Sequence, residues 1–460
     1  MVRPVITTST ADLPEQTLHE ARLRLLDIIG CMVGGARGEG SAAIADLARR
    51  GGPAESTVFD GGGSGPAGQA AMANAVLARS FDFGVLTPTA GGREVWSHIS
   101  ETTVPVALAV GERVGASLGD VLTALVLGDD AAARLSRASG FAPGQVWDSP
   151  GLINRIGATL VATRLTGLDE TTTIHALGLI MQHMGGTFQG VLDGSLAFKL
   201  VQGLAARDAV TACDLAAAGW TAGTDPVLGA LGYGEVFSAG VDLGLLFEEH
   251  GRTHLGDKIF KPYPGCRFTH AAIDAALELT GGDPVDPTTV GSVLIRVAPM
   301  HAVPLLDRDP RTASTRQVGA LFSLQYQVAN AVVRGRPHPG HFTPESVDDP
   351  RIADLLDRVT VRGDLDPALL TSAEVTLTTV DDTSRTAFRP TALGDPFHHP
   401  LGLDQITEKF LLNLAFAGCD PNAAHELSDR LLHAPLATPL GTLLGEHHAM
   451  YERSAGIIGS

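Results

Sequence analysis

Lys261-Pro262-Tyr263-Pro264-Gly265-Cys266-Arg267-Phe268-Thr269-His270 divides the chain into two kinds of sequence. Two prolines and a glycine restrict this backbone, so the run reads as a rigid strap that presents side chains at a domain junction. Upstream the pattern is Ala/Leu/Gly-rich with helical spacing. Residues 15–31 place Leu23, Leu26 and Ile29 on one face, and 68–80, 103–114, 118–134, 152–166, 170–183 and 197–217 follow in the same style. Ser117 and Asp169 stand where N-caps belong. Downstream, a helix at 269–279 precedes two β-branched, roughly alternating runs, 290–297 and 374–380, with 386–388 as a short partner. Between them 314–333 is again helical in pattern. The tail, 403–416 and 423–432, returns to helix, and Asp420-Pro421 is a good helix start. The expected fold is mainly α: a large, discontinuous all-helical domain, residues 1–262 and 398–460, with a smaller α+β domain, 263–397, inserted into it.

Bulk properties agree with two domains. A chain of 460 residues exceeds what one core usually serves, and 44% apolar with 18% charged residues excludes a disordered chain. A net charge of −18 with no Lys/Arg-rich run argues against a nucleic-acid partner. It leaves room for a small anion, because a few inward-pointing cations make a local positive pocket. Cys31, Cys213, Cys266 and Cys419 are widely spaced and read as free thiols of a reducing compartment. Residues 1–14 lack a signal pattern, and no apolar run approaches the ~20 residues of a membrane span. A cytoplasmic location without membrane contact is the expectation.

Of the 33 basic residues only four are lysine: Lys199, Lys258, Lys261 and Lys409. Lysine exchanges protons when desolvation lowers its pKa, which guanidinium does not, so Lys199 is a first candidate for chemistry. It follows Asp193-Gly194-Ser195 at a helix start, where orphan amides attract carboxylates. His98, in Ser97-His98-Ile99-Ser100-Glu101, sits at another helix entry, where the helix dipole favours a neutral, proton-accepting imidazole. Read alone, it is an ordinary loop histidine making a hydrogen bond. Asp82 lies between Phe81 and Phe83, and Asp148 in Trp147-Asp148-Ser149-Pro150 reads by itself as an N-cap. The strap adds Lys261, Tyr263, Arg267 and His270. Gly61 to Gly65 lacks the Lys-Ser/Thr of a phosphate loop, and His175, His183 and the His398-His399 pair read as packed or loop groups. No His/Cys/Asp/Glu set has metal-ligand spacing, so no metal is expected.

Several of these segments together resemble the MmgE/PrpD family. The resemblance rests on the strap with Ala272-Ile273-Asp274-Ala275, on Asp193-Gly194-Ser195 with Lys199 and Gly203-Leu204-Ala205-Ala206, on Ala320-Leu321-Phe322-Ser323-Leu324-Gln325-Tyr326, and on Gly394-Asp395-Pro396 with Lys409-Phe410. The family includes 2-methylcitrate dehydratase, cis-aconitate decarboxylase and iminodisuccinate epimerase. The resemblance implies a helical domain, an α+β lid, a homodimer, an interdomain active site and cofactor-free proton movement beside a carboxylate. Carried across, Lys199, His98, His270 and Asp82 match family positions. Ile99 stands where the family usually has proline, Gly84 and Val85 replace its next acids, and Asp148 stands where histidine is common. The leading expectation is a lyase, dehydratase or decarboxylase in type, on a small carboxylate-bearing substrate. Lys199 or His98 would be its base and His270 or Asp148 its acid. Lys199 with Lys261 or Arg267 would stabilise the enolate, while Tyr263 and Ser195 help to hold the substrate. An isomerase (epimerase or cyclase) in the same pocket, or a non-catalytic binding homologue, are the alternatives.

Overall fold

The structure is a computed structural model that describes residues 1–140 and 147–445. It is mainly α-helical. The helix Glu15–Gly35 lies at its centre: Leu25, Leu26, Ile28, Ile29, Met32 and Val33 are all inaccessible to solvent. Where the sequence reads as a single apolar face, the helix is buried on every side from Leu23 onward, with Glu15, Gln16 and Glu20 exposed in its first turns. Ala67–Arg79 packs on one side of it and Leu403–Ala417 on another. Small residues make that possible. A Cβ on Gly35 would stand 1.9 Å from the Leu77 carbonyl oxygen, and one on Gly30 would stand 3.0 Å from Cδ2 of Phe410. Since backbone cannot yield as a side chain can, Gly35→Ala should cost about 1–3 kcal/mol, measured by urea unfolding.

Helix starts follow the expected chemistry. Ser117 and Asp120 form a reciprocal capping box, with Ser117 Oγ accepting from Asp120 N at 3.2 Å and Asp120 accepting from Ser117 N at 3.0 Å. Asp169 accepts from Thr172 N at 2.8 Å, and Asp420 from Ala423 N at 3.0 Å ahead of Pro421. The tail residues Ile406, Phe410, Leu414, Leu427 and Leu431 join the same hydrophobic cluster as Leu25 and Ile29, so this core draws on both ends of the chain.

A second cluster surrounds a four-stranded sheet in the order Val359–Arg362, Val290–Val297, Ala373–Thr379, Ser384–Arg389. The first pair is parallel and the others antiparallel. Val290, Val293, Ile295 and Val297 are buried in the same cluster as His270–Thr280, which packs on the strands Ala373–Thr379 and Ser384–Arg389, and Leu324–Arg334, which packs on Val359–Arg362, whereas Thr376 and Thr386 pair by their hydroxyls on the exposed face. This cluster also takes in Cys31, Phe81, Phe83 and Phe198, so the two cores touch. The structure differs from the sequence reading in several features, among them Gly63–Gly65, read as loop, which pairs as a strand with Ser56–Val58 in the body read as all-helical. The strand Val359–Arg362 was not recognised, being four residues long and partly exposed. The single helix read at 314–333 is two, Arg316–Leu321 and Leu324–Arg334, because Ser323 takes an extended backbone and caps the second through Tyr326 N. The segment before His98 is a hairpin, Thr87–Ala90 with Arg93–Ser97, turned at Gly91-Gly92 with φ of 54° and 74°. Positive φ at both central residues gives the turn the twist that strands prefer. Among the described residues no helix is long and apolar enough to cross a membrane.

Candidate active site

Arg79 ends its helix and reaches Asp82 three residues on, Nη1 to Oδ1 at 2.6 Å. Asp82 itself has φ +45°, a conformation costly for a residue with a Cβ and one that recurs at functional sites. The hairpin then leads the chain out and back through Trp96, also strained at φ +39°, to His98 at the mouth of Ser100–Val114. His98 Nε2 comes to 3.7 Å from Asp82 Oδ1, and its Nδ1 to 3.5 Å from Glu101 Oε2. Its backbone is clamped: Asn154 and Gln202 donate to the His98 carbonyl at 2.8 and 2.9 Å and also to Thr102 Oγ1. From the strap, Lys261 donates to Asp82 Oδ1 at 2.6 Å and to its carbonyl at 2.8 Å. Gly265 must be glycine: φ is +105°, and a Cβ would meet Gln327 Nε2 at 2.1 Å.

Beside this cluster lies a cavity of about 490 Å³. Of the residues nominated from sequence, Asp82, His98, Asp148 and Arg267 line it, and Lys261 stands directly behind Asp82. The others are placed elsewhere. Lys199 donates to the Glu39 carbonyl at 2.5 Å and to Ser80 Oγ at 3.1 Å, and its helix supplies Gln202 and the ring of Phe198, 5.4 Å from the Arg79 guanidinium. Ser195 Oγ donates to the Gly190 carbonyl. His270 is fully buried with Nδ1 3.4 Å from Arg267 Nη1, and Tyr263 donates to Asp274 beside a separate depression. None of these four lines the cavity. Sequence reasoning missed Arg79, which resembles any helix-end arginine, and gave Glu101 no role of its own. The i,i+3 spacing of Arg79 and Asp82 was the one available signal.

Burial sets the protonation states. The His98 imidazole is driven well below its ordinary 6.5, first by desolvation and then by the charges of Arg79 and Lys261, so it is neutral at pH 7. Desolvation lifts Asp148 to about 6, against the pull of Arg79. Glu101 is also raised by burial, and Lys199 is lowered to about 8 by the same cause. All four lysines are withdrawn from solvent to some degree, with Lys199, Lys261 and Lys409 each no more than 5% exposed, which excludes leftover surface charges. One ligand atom each from Asp82, His98 and Glu101 lies within 4.8 Å of the others, a grouping that linear spacing hid. Arg79 and Lys261 already pair with those carboxylates.

The neutral His98 imidazole and the Asp148 carboxyl, raised by burial, both line this cavity. Residues 2–246 match the MmgE/PrpD N-terminal domain and residues 263–433 match the MmgE/PrpD C-terminal domain. Together the matches span most of the sequence, and the chain belongs to the MmgE/PrpD family. That family includes dehydratase-type lyases such as 2-methylcitrate dehydratase. No individual curated protein matches the chain.

Proposed function

We propose that the chain is a lyase in which His98 takes the proton next to a carbonyl or carboxylate and Asp148 protonates the group that leaves the neighbouring carbon, so that a carbon–carbon double bond forms as the carbon–leaving-group bond breaks. The observation that carries this reading is the opposed titration of the two groups on one cavity. His98 is held neutral and Asp148 is raised to about 6. When His98 takes the proton, Asp82 near Nε2 and Glu101 near Nδ1 stabilise the imidazolium, and Arg79 on the wall faces the developing enolate charge. Lys261 positions Asp82, and Lys199 braces residues 39–41 against Ser80, next to Arg79. Residues 263–397 serve as the lid. The exposed apolar side chains of Trp220, Leu231, Val236 and Phe247 support the homodimer that the family suggests.

Incubation with substrate in deuterated water is expected to place deuterium at the carbon next to the carbonyl. An acid that binds and turns over without exchange counts against the mechanism. The same acid–base pair also serves an isomerase. Product mass separates the two, since an isomerase conserves it.

The pH profile follows from the two groups. His98 is a base above its depressed pKa, and Asp148 is an acid below about 6. Thus kcat/KM should form a plateau on the acid side of pH 6 and fall about tenfold per unit above it. Asp148→Asn should lower the plateau and abolish the alkaline limb. A wild-type profile flat to pH 8 would remove Asp148 from the mechanism.

A further inference from the structure

We infer that the substrate is a predominantly apolar molecule presenting a single carbonyl or carboxyl group, in contrast to a di- or tricarboxylate. This rests on the proposed site, for it concerns the same cavity. The wall facing the charged cluster is apolar and aromatic. Trp96 packs on Phe268 with ring centroids 4.9 Å apart, and Phe268 stacks on His301 at 4.4 Å. Leu306, Val303 and Phe322 continue that wall. Burial lowers the His301 pKa, although the Leu370 carbonyl, 2.7 Å from Nε2, works the other way, so the ring adds no charge at pH 7.

The charged side cannot balance several carboxylates. Among the described residues, Arg79 and Arg267 are the arginines on the cavity, and each is largely committed, Arg79 Nε alone being left without a partner for a single carbonyl or carboxyl. Arg79 Nη1 serves Asp82 and Glu101, while Arg267 donates to the carbonyls of Leu393 at 2.5 Å and Ala392 at 2.9 Å. Lys261 is taken by Asp82 and Lys199 by Glu39 and Ser80. Asp82, Asp148 and Glu94 line the same space, so it carries no excess of positive charge. A second or third substrate carboxylate would be desolvated without a free cation to meet it. A hydrocarbon body instead fills about 490 Å³ of largely apolar space.

Calorimetric titration of the full chain with straight-chain monocarboxylates from butyrate to decanoate, with suberate and with citrate tests this. Affinity should rise about fourfold per methylene until the cavity is filled. Octanoate should bind at least tenfold tighter than suberate, which has the same number of carbons, and citrate should not compete. Val303→Asp, a change at a partly exposed wall position, should weaken octanoate about tenfold without altering the unfolding midpoint. Preference for suberate or citrate, affinity independent of chain length, or no binding by any of these acids overturns the inference. The readout is binding alone, so its failure is distinct from failure of the proton-transfer reading, which deuterium exchange measures.

Discussion

Replacing His98 with glutamine is expected to lower kcat by about 10²–10⁴-fold, the usual contribution of a positioned base, while leaving the fold intact. Glutamine keeps a polar side chain near Asp82 and Glu101, and the backbone anchors from Asn154 and Gln202 grip the residue 98 carbonyl irrespective of its side chain. Loss of rate with unchanged circular dichroism and unfolding midpoint would therefore report the imidazole itself. Lys199→Met is the comparison. Its amine contacts Glu39 and Ser80 away from the cavity lining, so its removal should act on packing more than on proton transfer. A large kcat loss at Lys199 with His98→Gln still active would transfer the base to the amine.

Lys409→Met should destabilise the protein by about 3–5 kcal/mol, the cost of stranding a buried charge. Lys409 Nζ lies 2.6 Å from Asp27 Oδ1, donates to the Phe83 carbonyl at 2.5 Å and sits 4.1 Å above the Phe83 ring. Asp27 is 1% exposed, and its pKa is raised chiefly by burial and held down by Lys409. Without the amine, ionised Asp27 keeps only the Val85 amide, 2.8 Å away. The sign with pH follows: an acid whose folded-state pKa is raised loses stability as pH climbs through its unfolded value of 3.8, so the variant's deficit should shrink towards that pH. Asp27→Asn combined with Lys409→Met should recover most of the loss, because the amide stays neutral and still accepts from Val85. A double variant as unstable as the single one would show that Lys409 acts by packing alone. Urea unfolding measures each case.

The pair also explains how a tail residue supports the site. Lys409 holds the carbonyl of Phe83, one residue from strained Asp82, so the last helices hold the loop that presents the acid. Resemblance had marked Lys409-Phe410 without assigning it a task.

Periodicity and punctuation carried most of the helical body. The caps at Ser117, Asp169 and Asp420 and the strands at Val290–Val297 and Ala373–Thr379 were legible because each depends on a few neighbouring residues. The hairpin before His98 was missed although Gly91-Gly92 signals one, and Ser323 split a helix that its apolar spacing would have continued. In the site, Asp82, His98 and Arg267 stand out by local chemistry, Asp148 enters only through the family resemblance, and the four share a cavity.

Sequence alone determined the mainly helical class, the change of character at the strap and the residue types available for proton transfer, because those depend on short-range pattern and composition. Tertiary structure decided which groups meet. It spent the charge of Lys199 and Lys261 on internal acceptors, drew Arg79 and Glu101 to Asp82 and His98, and faced them with Trp96, Phe268 and His301. Such pairings depend on the approach of segments up to about 180 positions apart, as between Asp82 and Lys261. Burial, which sets the pKa values there, is a property of the packed volume and not of any local run of residues.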